Sequence, residues 1–152
     1  MLNWLYENKK INTLEDFPEG TFGFIYITTH RPTGISYLGK KSLYHTLNKK
    51  LGKKELAEQP ITRGRAKTIK QIVKESDWKT YYGSAKPILE LLKEKKHDEF
   101  DRKILQFVNS KKLLTYYECK YLFKYGVLEH SSLYFNDNIL GKFYRKDFDS
   151  QN

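Results

Sequence analysis

A chain of 152 residues with 28 Lys+Arg against 18 Asp+Glu carries a formal charge of +10 and is long enough for one domain with a real core. Aromatic residues reach 15%, which excludes wholesale disorder, and the single cysteine, Cys119, excludes both a disulfide framework and a cysteine-rich zinc site. No apolar run approaches the roughly 18 to 20 residues of a membrane span. A reducing, cytoplasmic setting is therefore the expectation, and the charge excess points to a polyanion, nucleic acid first. The charge is concentrated. Between Lys40 and Glu75 stand eleven basic residues against Glu55, Glu58 and Glu75, a local charge of +8.

In chain order, residues 1–20 read as an N-terminal extension with a short amphipathic helix around Leu2, Leu5 and Tyr6, closed by the Pro18-Glu19-Gly20 turn signal. Phe22 to Thr28 is rich in aromatic and β-branched residues and predicts a strand covered on both faces. His30-Arg31-Pro32-Thr33-Gly34 predicts a turn, and Ile35 to Gly39 returns as the second strand of a hairpin. In the basic segment, about 40–77, Leu43, Leu47 and Leu51 recur at i, i+4 spacing and predict a helix broken at Gln59-Pro60. A loop at Thr62 to Arg65 and a second helix from Ala66 to Lys74 follow. Asp77 to Ser84 reads as irregular, with Ser84 capping a helix over Lys86 to Lys95 that tolerates Pro87 in its first turn. Phe100 to Val108 predicts a third strand. Ser110 caps a helix from Lys111 to Tyr125 that Gly126 ends. The fold class is thus α/β: a small, three-stranded, mainly antiparallel sheet flanked by helices, with a basic helical insertion. A single domain spans 21–148, and 149–152 form a tail.

One acid is out of place on the Lys111–Tyr125 helix. Glu118 falls about 40° from Leu114 on the helical wheel, inside the arc occupied by Leu122 and Tyr125 rather than opposite it. A carboxylate there needs a partner, either a basic side chain at the edge of the core or a metal. Tyr26 and Tyr37 lie on facing strands, where packing and catalysis are both open readings.

Taken together, these segments resemble the GIY-YIG nuclease superfamily. Gly23 with Phe24-Ile25-Tyr26 is similar to its first motif and Tyr37-Leu38-Gly39 to its second, while Asn136 in Tyr134-Phe135-Asn136 is similar to its late asparagine. Trp78-Lys79-Thr80-Tyr81-Tyr82-Gly83-Ser84 is similar to a segment of phage-associated and homing-endonuclease-like members. One departure stands out: the family's arginine soon after the second motif has no counterpart between Lys40 and Lys50.

The resemblance implies an endonuclease acting on double-stranded DNA with one divalent cation, Mg²⁺ or Mn²⁺, held by Glu118. It also implies that Tyr26 takes a proton from the attacking water. A free phenol ionises near 10, so that role predicts cationic neighbours favouring phenolate. Tyr37 and Tyr82 would orient water or phosphate, Asn136 would position the glutamate or the substrate, and Lys41 or Arg65 would replace the missing arginine, although lysine lacks arginine's bidentate fork. Lys40, Lys49, Lys50, Lys53, Lys54, Arg63, Lys67, Lys70 and Lys79 are the candidate DNA contacts. No membrane and no obligate protein partner are expected, and a phage-encoded chain would act in its host's cytoplasm. Two alternatives remain in view: a non-catalytic DNA-binding regulatory module of the same fold, and a small basic RNA-binding protein.

Overall fold

The computed structural model describes residues 3–58, 64 and 68–149. The chain divides into two units, one made of the residues up to Leu43 and from Asp77 onward, the other of Tyr44–Ser76.

The first unit is built on a five-stranded mixed sheet in the order β2-β1-β7-β3-β4, where a three-stranded sheet was expected. The two extra strands come from the N-terminal residues. β1 (Trp4–Tyr6) and β2 (Lys9–Ile11) form a hairpin in place of the expected helix, turning at Glu7 and Asn8, both of which have positive φ. Two consecutive left-handed residues match the right-handed twist of the flanking strands, so this short turn favours strand over helix. β1 then pairs in parallel with β7 (Phe100–Val108), setting Trp4 beside Arg102. Trp4 is buried, packs edge-on against Phe24 and Tyr26, and donates from its indole nitrogen to the Trp78 carbonyl at 2.8 Å.

The central hairpin matches the sequence reading, with β3 (Gly23–His30) and β4 (Ile35–Ser42) joined through Gly34 at φ 73°. β3 lies between β4 and β7, and Phe24, Ile25 and Tyr26 are all buried, as a strand covered on both faces requires. Its pairing with β7 shifts register between Ile25 and Tyr26, so Leu105 is the extra residue of a bulge. Phe24 and Tyr26 face a cluster with Trp4, Ile11, Phe17, Leu43, Trp78 and Ile104. Ile25 faces the opposite cluster, where Leu114 and Leu122 of α3 (Lys111–Lys124) pack with Leu38. Ser110 accepts from the Leu113 N–H at 3.2 Å and caps α3, and Gly126 follows its end at φ 59°. α2 (Lys86–Lys93) carries Pro87 in its first turn, but its N-cap is Ala85 and not Ser84. The chain closes with β8 (Asn138–Ile139), β9 (Phe143–Tyr144) and α4 (Arg145–Asp149).

The second unit corrects the expectation of a helical insertion. β5 (Tyr44–Lys50) and β6 (Ile69–Glu75) form a two-stranded antiparallel ribbon, with one short helix, α1 (Lys53–Ala57). The leucine spacing misled because its members do different work: Leu43 is buried in the first unit's core, while Leu47 is 44% exposed on the ribbon. A shared face at helical spacing therefore never forms, and β-branched Thr46, Ile69, Ile72 and Val73 favour strands. The expected break at Gln59-Pro60, the loop Thr62 to Arg65 (apart from Gly64) and the start of the second helix at Ala66 lie outside the described residues. Among the described residues no helix is long and apolar enough to cross a membrane.

Because Trp4 fills the core from a strand paired with β7, Trp4→Ala is expected to lower the stability of the protein by about 3–5 kcal/mol, measured by urea unfolding.

Candidate active site

β4 is an edge strand, and three different partners meet its outward side in turn. At Ser36 the N–H donates to the Leu133 carbonyl at 2.9 Å and the carbonyl accepts from the Phe135 N–H at 2.7 Å. At Leu38, the buried Asn136 amide does both jobs: its Oδ1 accepts from the N–H at 3.1 Å and its Nδ2 donates to the carbonyl at 2.8 Å. At Lys40, the Glu118 carboxylate reaches in from α3 toward the backbone N–H, which favours its charged form. Lys40 Nζ in turn donates to Thr115 Oγ1, one turn earlier on α3, at 2.8 Å.

The tyrosines converge on the same stretch of β4. Gly39 pairs with Tyr26, and a β-carbon at Gly39 would lie 2.7 Å from the Tyr26 hydroxyl and 3.1 Å from Tyr37 Cε1. Glycine is therefore required here by close approach: the two rings occupy the space a side chain would fill. Tyr26 and Tyr37 have ring centroids 6.3 Å apart, and Tyr81 stands edge-on to Tyr26 at 5.9 Å. Tyr81 is set by the buried Arg102, which donates to the Lys79 and Tyr81 carbonyls at 3.0 and 2.8 Å from between the rings of Trp4 and Tyr82. The Tyr37 hydroxyl shares a 2.7 Å hydrogen bond with Ser84, which precedes the N-cap of α2.

Burial dominates the electrostatics. It pushes the Tyr26 hydroxyl well above the ordinary phenol value, and Tyr81, Tyr37 and Glu118 push in the same direction. Burial also raises Tyr37, opposed by the Ser84 hydrogen bond, and raises Glu118, opposed by the Lys40 ammonium and N–H. The expected cationic field around Tyr26 is not what the fold builds. Lys41 lies 4.1 Å from the centroid of Tyr81 and pairs with Asp77, so its charge is already engaged.

Tyr37, Glu118 and Asn136 line one cleft of about 630 Å³, together with Ser84, Asp137 and Arg145. Arg145 donates from Nη2 to the carbonyls of Tyr134 and Asn136, and its Nε is buried with no hydrogen-bond partner. Among the described residues no three His, Cys, Asp or Glu side chains group together as a ready metal cage. Glu118 with Asp137 in the same cleft offers hard oxygen donors, the set that suits a cation which keeps several waters and shares a substrate phosphate.

Other residues singled out in the sequence fall elsewhere. Tyr82 is buried with Ile88 and Phe100, its ring against Arg102; the neighbouring Tyr81 is the one that reaches Tyr26. Lys79 is exposed beside Trp78. Lys49, Lys50, Lys53 and Lys54 are exposed on the second unit, and Lys70 is tied to Glu55 at 2.6 Å. Arg63, Arg65 and Lys67 lie outside the described residues. Sequence reasoning passed over Tyr81, Asp137 and Arg145. Tyr81 adjoins Tyr82 with nothing to rank the two, and Arg145 sits in a basic-aromatic stretch, Lys142 to Phe148, with no periodicity to assign it a face.

The fold is thus a mixed sheet whose tyrosine-bearing hairpin lies beside a helix that carries a glutamate. Residues 4–139 match the family described as "Putative endonuclease segE, GIY-YIG domain", and the chain belongs to that family within the GIY-YIG nuclease superfamily. No curated protein and no solved structure matches the chain significantly.

Two measurements check the site's construction. In a spectrophotometric tyrosine titration, subtracting the Tyr26→Phe curve from that of the parent protein is expected to leave one phenol that ionises above the ordinary value of about 10. Asn136→Ala is expected to cost about 1–3 kcal/mol in urea unfolding, because it strands both polar groups of Leu38.

Proposed function

We propose that the protein is an endonuclease that hydrolyses phosphodiester bonds of double-stranded DNA. The observation that carries this reading is the convergence of the Tyr26 and Tyr37 rings over Gly39, with the Glu118 carboxylate in the cleft that Tyr37 lines. That places a proton-transfer group and a hard anionic ligand beside one short stretch of backbone.

Glu118, assisted by Asp137, would hold Mg²⁺ or Mn²⁺, which supplies Lewis-acid stabilisation of the scissile phosphate and the leaving 3′ oxygen. The Tyr26 oxygen takes the proton of the attacking water, and the Tyr37–Ser84 hydroxyl pair orients that water or a phosphate oxygen. Asn136 acts on geometry, holding the edge of β4 through Leu38 within the cleft that Glu118 also lines. Arg145 joins Lys41 and Arg65 as a source of the positive charge that the residues after the second motif do not supply, and its place in the Glu118 cleft favours it. The lysines of the ribbon unit hold the DNA backbone.

The burial of Tyr26 has a kinetic consequence. A base that ionises well above 10 is scarce at neutral pH, so cleavage is expected to rise about tenfold per unit between about pH 7 and pH 9. The same burial favours the second reading, a DNA-binding module of this fold without turnover, in which Tyr26 stays a neutral core residue. Incubation with supercoiled plasmid, with and without Mg²⁺, separates the two. The nuclease reading expects metal-dependent nicking that Glu118→Gln abolishes and Tyr26→Phe lowers by about 10²-fold or more. The binding-module reading expects salt-sensitive retention with the plasmid intact.

A further inference from the structure

The ribbon has two unlike faces. β5 and β6 pair at seven consecutive positions, from Tyr44↔Glu75 to Lys50↔Ile69, a length of about 20 Å or about six base pairs of rise. Side chains alternate across a strand, so Tyr44, Thr46, Asn48 and Lys50 share a face with Ile69, Gln71, Val73 and Glu75, while His45, Leu47 and Lys49 share the other with Lys70, Ile72 and Lys74. Burial distinguishes the faces on β6 alone. Lys70 and Ile72 are half-buried, and Lys70 is tied to Glu55 of α1, so the unit's own helix meets part of the second face, where His45, Leu47, Lys49 and Lys74 stay exposed. The first is open, with Ile69 52% and Val73 68% exposed and Asn48 and Gln71 exposed beside them.

The chemistry of the open face is specific. Asn48 and Gln71 stand directly opposite each other at its centre, two uncharged amides, with the pair Thr46 and Val73 next to them on the same face. Around this pattern, Tyr44–Ser76 carries nine Lys+Arg against three acids. A face meant only for solvent has no use for Val73 and Ile69, and a face meant only for phosphates would place lysine where Asn48 and Gln71 stand. Uncharged amides beside methyl groups, on a unit whose sequence is strongly basic, match duplex DNA. The major groove admits a two-stranded ribbon, an Asn or Gln amide pairs with the N6 and N7 edge of adenine, and a thymine methyl takes an apolar contact.

We infer that the open face of the β5–β6 ribbon reads base sequence in the major groove, with Asn48 and Gln71 contacting adenine edges and Thr46 and Val73 packing on thymine methyls. The ribbon lysines then supply affinity, and the amide pair supplies sequence discrimination. This rests on duplex DNA being the substrate, and it goes beyond hydrolysis to how a target would be chosen.

The test uses the full-length Glu118→Gln protein in EDTA, so that no strand is cut, with a pool of randomised DNA duplexes whose bound fraction is sequenced. The expected result is a short motif containing adenine, in which Asn48→Ala and Gln71→Ala each relax one position by between about 5- and 150-fold in discrimination. Lys49→Ala combined with Lys53→Ala is expected instead to weaken binding evenly across sequences and to flatten its salt dependence. A pool without preference, a motif unchanged in the double variant N48A/Q71A, or tighter binding to an RNA pool than to the DNA pool would overturn the inference. Plasmid cleavage without a motif refutes the ribbon reading alone, and an Asn48- and Gln71-dependent motif without cleavage refutes the nuclease reading alone.

Discussion

An edge strand with polar groups facing outward must have them paired, and in this protein the pairing of β4 organises the site. Its outward groups at Ser36 and Leu38 go in turn to the backbone at Leu133 and Phe135 and to the Asn136 amide, and beside Lys40 stands the Glu118 carboxylate. An unpaired strand edge invites association, and a buried unpaired group is costly. Covering this edge therefore draws together a helix, a late loop and the hairpin, which are far apart in the chain. The cleft is the space left between them.

Gly39 extends the same logic to the tyrosines. Without a β-carbon, the strand lets the Tyr26 hydroxyl and the Tyr37 ring approach its backbone. Closeness has a chemical cost, because Tyr26 is buried among aromatic neighbours that disfavour its phenolate. The fold gives Tyr26 exact placement and little help in ionising. Charge near the hydroxyls is anionic or already engaged, from Glu118 to the Lys41–Asp77 pair.

The Arg102 side chain shows how far the core reaches into the site. A guanidinium between Trp4 and Tyr82 keeps its charge in a buried position by donating to the Lys79 and Tyr81 carbonyls. Burial lowers its pKa from the ordinary arginine value, the direction expected for a cation taken from water. The N-terminal hairpin that supplies Trp4 thereby bears on where Tyr81 stands.

Local signals were enough for the β3–β4 hairpin, the β7 strand, and the α3 helix with its Ser110 cap and terminal Gly126, because period, turn chemistry and capping agree there within a few residues. They also exposed Glu118, since an acid inside an apolar arc is visible on a helical wheel. The five-stranded sheet was not legible: a three-residue strand such as β1 has too few residues to show a period, and its parallel pairing with β7 depends on residues about a hundred positions away. The ribbon was misread because Leu43 belongs to one unit and Leu47 to another. The sequence by itself determined the charged insertion, the tyrosine hairpin and the misplaced carboxylate, all of which are properties of composition and local spacing. Only the tertiary structure decided that Tyr81 rather than Tyr82 meets Tyr26, that Asn136 holds the strand edge, and that Arg145 shares the cleft with Glu118. Those outcomes follow from long-range packing and from pairing the last polar groups of β4, which no local pattern encodes.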